Sequence, residues 1–329
     1  MWSSALNKLK KLIKKFVSVV VFKPFFLLRT SGLVRGLFNH QAKVLHKSNP
    51  PNLTETEQRI LRDLKRDGIG IARIDELFLG ENILPILEAY AENLKPTGVV
   101  DKGKPFLTYL WLGDAAPTWE NPFMRLSLSD QMLGIVNSYL GGWSKFFYSS
   151  LNITTPVGSK AHAFRSQNWH RDPEDKILCK VFLYLSDVDE TAGPFIYIKG
   201  SHSNGKWAGV YPQKPPKGSY PPVEVVDKLI PEEETLVCTG KAGTIIFADT
   251  SGLHRGGFAT HKERLMFTAE FATPSALRPM RYDAQDNLKA RLMSSAKYAV
   301  SKDERMATIF LNKIGDFAIK HGFVEEIGY

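Results

Sequence analysis

With 329 residues, 43% hydrophobic and 23% charged, the chain has the composition of a globular protein long enough to bury a full core. Its net charge of +9 is localised: ten of the 43 Lys/Arg fall in residues 1–50, which hold no Asp or Glu, leaving 33 basic against 34 acidic residues beyond. A neutral body argues against a nucleic-acid groove, and two cysteines (Cys179 and Cys238, without zinc-site spacing) exclude a disulfide scaffold and imply a reducing, cytoplasmic setting.

The first element predicted is a helix over residues 2–20. At about 100° per residue, Trp2, Leu6, Leu9, Ile13, Phe16 and Val20 share one side, and Ser4, Asn7, Lys11, Lys14, Lys15 and Ser18 share the other. With Lys8 and Lys10 beside that polar face, the helix suits the surface of an anionic membrane. Docking on protein and a targeting role are the alternatives. The apolar run Phe16–Phe22 is cut by Lys23-Pro24 and falls far short of the roughly 20 residues that a membrane-spanning helix needs.

Residues 1–50 are therefore read as a basic amphipathic segment and linker, and residues 51–329 as one catalytic domain. A chain beginning near Asn49 is expected to keep its basal activity. Ser48–Thr54 has linker composition, Thr54 or Thr56 can cap a helix over Glu55–Asp67, and Gly68 ends it. A short strand after Gly68 and a helix over Pro85–Leu94 complete a helical lead-in to about residue 100. Short β-rich runs follow at Phe106–Leu112, Phe146–Thr154, Ile177–Leu185, Phe195–Lys199, Thr244–Phe247 and Arg264–Phe271, which predicts a sandwich or jelly roll over about 101–275. The proline-rich stretch Lys199–Leu236 reads as an insertion at the mouth of the site or equally as a surface excursion, and 282–323 returns to helical spacing.

The chemistry is carried by Gln167-Asn168-Trp169-His170-Arg171-Asp172 and Ser251-Gly252-Leu253-His254-Arg255. On an extended strand His170 and Asp172 leave the same face. A second imidazole from His254 completes a set of two histidines and one carboxylate, which suits non-haem Fe(II) because three coordination positions stay open. Taken alone, Asp172-Pro173-Glu174-Asp175 also fits a helix N-cap followed by proline. The run carrying His254 and the run opened by Arg264 are expected to lie side by side in one barrel. Arg165, Gln167 and Lys180 read as ordinary strand residues before contacts to substrate or co-substrate, and Arg255 alternates away from the metal face, with such a contact as its alternative.

On these residues the chain resembles the phytanoyl-CoA dioxygenase family of Fe(II)- and 2-oxoglutarate-dependent oxygenases. His170-x-Asp172, the distal His254 and the trailing Arg264 match its pattern, as do Lys180–Asp189 leading to Gly193-Pro194, and Gly200-Ser201-His202. Lys199 stands where the family usually has proline. The resemblance spans roughly residues 60–275 and implies a double-stranded β-helix (jelly roll) with helices packed on it. It further implies Fe(II) on His170, Asp172 and His254, with dioxygen and the co-substrate 2-oxoglutarate, whose distal carboxylate Arg264 forks. His162, His202 and His261 stay outside that pattern. The expected reaction is hydroxylation of a small-molecule or lipid-linked substrate, since related halogenating enzymes lack the metal-binding carboxylate. The alternatives are a non-catalytic jelly-roll binding module tethered to a membrane or partner, and a metal-only cupin-type enzyme in which Arg264 has no role.

Overall fold

A computed structural model describes residues 12–13, 15–102, 104–112, 118–156, 165–213, 219–277 and 291–301, with single positions 313, 314, 317, 320 and 321. Residues 2–11 of the predicted amphipathic helix and most of the predicted C-terminal helices lie outside these. A π-helical turn (Ser18–Phe22) leads into α1 (Lys23–Arg29) and α2 (Gly32–Ser48). Then come α3 (Glu55–Asp67), β1 (Ile69–Arg73), a single turn α4 (Ile74–Leu77), α5 (Ile83–Leu94), β2 (Val99–Asp101) and β3 (Lys104–Leu112). Two helices, α6 (Pro122–Ser127) and α7 (Asp130–Leu140), precede β4 (Lys145–Thr154), β5 (Leu178–Tyr184) and β6 (Phe195–Ile198). The remaining elements are α8 (Val223–Leu229), β7 (Thr235–Cys238), β8 (Thr244–Ala248), β9 (His254–Gly256), β10 (Arg264–Ala272) and α9 (Ser294–Ala299).

Local chemistry fixes the lead-in. Thr54 and Glu57 form a reciprocal capping box that satisfies two orphan donors of α3, and Gly68 ends the helix at φ 79°. The chain then turns directly into β1, the edge of a seven-stranded antiparallel sheet ordered β1-β8-β5-β10-β4-β3-β2. A second sheet runs β7-β6-β9. One face of the large sheet (Val181, Leu183, Ile245, Phe247, Leu265, Phe267, Phe271) packs under α3, α5, α6 and α7 in the main core. Its other face meets the small sheet, where Phe182, Tyr184, Phe195, Tyr197, Ile246 and Met266 form a second core. This is the jelly roll, with helices on its outer face. The strand runs read from the sequence are present, and β7 adds a strand that begins at the end of the stretch taken as an insertion. Helices α6 and α7, which the sequence reading passed over, bury Phe123, Met124, Met132 and Leu133 against the sheet.

The segment 23–48 is not a free linker. Arg29 donates to the Ser275 and Ala276 carbonyls at 2.8 Å each, and Asn39 pairs with the backbone and side chain of Ser275. Arg35 forms an ion pair with buried Asp175, and Phe38 and Ala42 are buried. These contacts fasten the segment to the body that a chain beginning near Asn49 would retain. Removing residues 1–48 deletes a buried ion pair, each broken partner of which typically costs about 3–5 kcal/mol. Asp175 keeps bonds from Thr273 and Lys176, so the cost falls toward the lower end. The truncated protein is expected to melt about 5 °C or more below the full chain; equal midpoints in a thermal scan would show that the arm contributes nothing.

Candidate metal centre and co-substrate cavity

His170 and His254 face each other across an antiparallel bridge in which each backbone N–H donates to the other's carbonyl at 3.0 Å. That pairing sets the imidazole centroids 4.1 Å apart. Asp172 N–H donates to the Thr250 carbonyl at 2.9 Å, two residues beyond the position opposite it in the His170–His254 register, and its carboxylate returns to the face of His170. His170 Nε2 lies 3.9 Å from Asp172 Oδ1, and His254 Nε2 lies 3.5 Å from Oδ2. One donor atom from each residue falls within 4.8 Å of the other two. Each imidazole Nδ1 sits against a carbonyl two residues back, Asn168 at 2.8 Å and Gly252 at 2.9 Å. Such bonds place the proton on Nδ1 and leave the Nε2 lone pair directed at the cluster, the tautomer a metal requires. Burial lowers the pKa of both, that of His254 to about 3, which suits imidazoles that would offer a lone pair to a metal.

The intervening Arg171 points the other way, as period-two alternation demands. Fully buried, it donates to the carbonyls of Ser201, Ser251, Trp207 and Val210. Ser201 Oγ in turn accepts from Leu253 N–H at 2.7 Å, next to His254. Arg171 and the Gly200-Ser201 turn therefore tie both metal-side segments to one loop.

The cluster opens into a cavity of about 160 Å³. Arg264 reaches it from β10, where it is fully buried. It donates to the Gly193 carbonyl and, at 3.1 Å, to Thr154 Oγ1, while its Nε has no hydrogen-bond partner among the described residues. His254 and Arg264 do not lie side by side as expected. β9 belongs to the small sheet and β10 to the large one, so the two face the cavity from opposite walls. The pairing was decided by β9 choosing β6 as its neighbour, which sequence order does not reveal.

Lys180, read as an ordinary strand residue, is central. Its ammonium lies 2.7 Å from Asp172 Oδ2 and 3.1 Å from Glu270. Burial alone would raise Asp172, but Lys180 and the two imidazoles outweigh it and hold the carboxyl well below its usual range. Glu270 is pushed up to about 8, chiefly by burial, which Lys180 only partly offsets. One cation thus serves two carboxyls, with Asp172 the ionised one. Gln167 lines the cavity as well, as does Lys104, whose pKa burial lowers to about 8. Tyr220, from the proline-rich stretch, stacks on His170 with ring centroids 5.7 Å apart. Glu270 was legible in principle: stepping by two from Arg264 gives Met266, Thr268 and Glu270 on the cavity face. Arg255 lies against the Trp169 ring, away from the metal side as anticipated. His202 is buried outside the cluster, His261 is exposed and His162 lies outside the described residues.

Residues 110–266 match the sequence profile of phytanoyl-CoA dioxygenase (PhyH). No curated protein sequence matches the chain. Among solved structures, the chain is similar to EctD from S. alaskensis in its apoform (19% identity, 77% of this chain and 90% of that one, TM-score 0.51). It is likewise similar to the same enzyme with 2-oxoglutarate and 5-hydroxyectoine (18% identity, 78% and 91%, TM-score 0.51). These likenesses concern the fold. The matched region and the site together show that the chain carries a phytanoyl-CoA dioxygenase-like region and is an iron- and 2-oxoglutarate-dependent oxygenase.

Proposed function

We propose that the protein hydroxylates a substrate at an Fe(II) held by His170, Asp172 and His254, with 2-oxoglutarate seated on Arg264. The observation that carries this reading is the pair of imidazoles, locked by their Nδ1 bonds with Nε2 free, converging on one ionised carboxylate inside the cavity that Arg264 also lines. Iron, when bound, supplies the coupling of dioxygen to two oxidations: 2-oxoglutarate goes to succinate and CO2, and a substrate C–H goes to C–OH. The chain's own residues do the rest. Arg264 presents a planar fork for the distal carboxylate, with Thr154 Oγ1 beside it. The donor set keeps a carboxylate in the metal shell, which leaves no protein-vacated position for a halide and favours hydroxylation. Phe182, Phe195 and Met266 give the cavity apolar walls that exclude water around the charged groups.

Lys180 holds one oxygen of Asp172, which orients the carboxylate and favours binding through the other. Partners of this kind typically contribute about 10- to 100-fold in metal affinity. Lys180→Met is therefore expected to weaken Fe(II) binding by about that factor in an anaerobic titration. Unchanged affinity would reduce the lysine to a packing role.

The substrate is read as membrane-borne, a lipid or lipid-linked compound, on the strength of the acid-free, lysine-rich N-terminal segment. The deciding experiment for the chemistry adds Fe(II) and 2-oxoglutarate anaerobically and looks for the visible charge-transfer band of a chelated complex. Oxygen is then admitted and succinate release is followed across a substrate panel. Absence of both the band and succinate would return the chain to a non-catalytic binding module.

A further inference from the structure

Eleven exposed large apolar side chains lie between Leu12 and Val44. They are not spread around the helices. Phe22, Phe26 and Arg29 form the buried side of the π-turn and α1, and Phe38, Asn39 and Ala42 the buried side of α2. The opposite side carries Leu27 and Leu28 at 65% and 62% exposure, then Leu33 and Leu37 at 75% and 66%. Leu33, Leu37 and Val44 point within about 40° of one another at 100° per residue. Lys15, Lys23, Lys43 and Lys47 are exposed along the same stretch, and no carboxylate side chain occurs anywhere in residues 1–50. A continuous apolar face this large on a water-exposed surface is costly unless something covers it.

We propose that the outer face of α1 and α2 is a lipid-docking surface, and that its occupant is a bilayer leaflet containing anionic lipid. Apolar side chains rimmed by lysines give two separate attractions, burial among acyl chains and attraction to negative headgroups, and stable peripheral binding generally takes two. The surface differs from the amphipathic helix expected over residues 2–20. It lies further along the chain, and its inner side is already folded onto the catalytic body.

Residues Lys15–Arg29 and Gly32–Ser48 together are long and apolar enough to cross a bilayer as a pair bent by 43°. Spanning would require Arg29 to leave the Ser275 and Ala276 carbonyls, Asn39 to leave Ser275 and Arg35 to leave Asp175. The pair therefore lies on the leaflet with its docked side intact. Because Asp175 is three residues from Asp172, docking fixes the metal-bearing loop relative to the lipid surface. The inference deepens the reading of a membrane-borne substrate and does not depend on the iron chemistry.

Flotation of the full chain with phosphatidylcholine vesicles, with and without phosphatidylserine, tests it. The protein is expected to float with the anionic vesicles and less so at high salt, because exposed charge is screened. The double variant Leu33→Glu, Leu37→Glu is expected to float about tenfold less or worse, while its thermal midpoint matches the parent, since neither side chain packs on the body. His254→Ala protein is expected to float like the parent, so docking and oxygenation can fail separately. Failure of the full chain to float overturns the proposal, as does flotation of the double variant at the parent level. Retention on vesicles after alkaline carbonate washing overturns it in favour of a spanning segment. A dimer that the double variant dissolves, without flotation of the parent, assigns the face to a second copy of the chain instead.

Discussion

Alanine at His170, Asp172 or His254 is expected to reduce iron-dependent succinate formation by more than about 100-fold, since partners that merely orient metal ligands already contribute about 10- to 100-fold. Circular dichroism should remain close to the parent for the two histidine variants, because each ring makes only one bond to a backbone carbonyl. Asp172→Ala is expected to behave differently. It strips Lys180 of its closer partner and leaves a fully buried ammonium on Glu270 alone. Glu270, raised to about 8 while Asp172 shares the lysine, should then ionise to compensate. The variant therefore loses both activity and stability, with a thermal midpoint below those of His170→Ala and His254→Ala. Full activity in any single variant would remove that residue from the metal shell.

Arg264→Ala is expected to raise the 2-oxoglutarate concentration needed for half-maximal turnover by roughly 30- to 1,000-fold, the equivalent of about 2–4 kcal/mol for a bidentate charge-assisted pair in a dry site. Fe(II) affinity should change little, because Arg264 sits on the wall opposite His254 and touches none of the three metal-side residues. Arg264→Lys should recover only part of the loss, since an ammonium is a point charge and cannot fork onto both carboxylate oxygens. If 2-oxoglutarate affinity survives in both variants, Lys104 and Lys180, the other cations lining the cavity among the described residues, become the candidates for its carboxylate.

That His170 and Asp172 share one face was legible because their geometry is local. In an extended chain the i, i+2 relation of His170 and Asp172 holds whatever the rest of the fold does, and the capping box at Thr54 and Glu57 is equally self-contained. The alternation of Lys180, Phe182 and Tyr184 against Cys179, Val181 and Leu183 was also readable, and the two cores divide along it. What the alternation could not say was which face meets a cavity. A lysine on a strand is usually solvated, and only the pairing of β5 with β10 (Lys180 opposite Glu270) made this one a buried bridge to Asp172.

By itself, then, the sequence determined the donor atoms, their spacing along the strand, the strand periods and the clustering of positive charge in the first fifty residues. These are properties of neighbours along the chain, set by backbone geometry and composition. Tertiary structure alone decided that β9 pairs with β6 and so places His254 opposite Arg264. It alone decided that Lys180 serves both Asp172 and Glu270, and that Arg29, Arg35 and Asn39 fasten the basic segment to the body. Apart from Lys180 and Asp172, eight positions apart, these join residues distant in the chain: 246 positions separate Arg29 from Ser275 and 140 separate Arg35 from Asp175. Such contacts form only once burial removes water as the competing partner, and no pattern of neighbours encodes which distant group will be there to replace it.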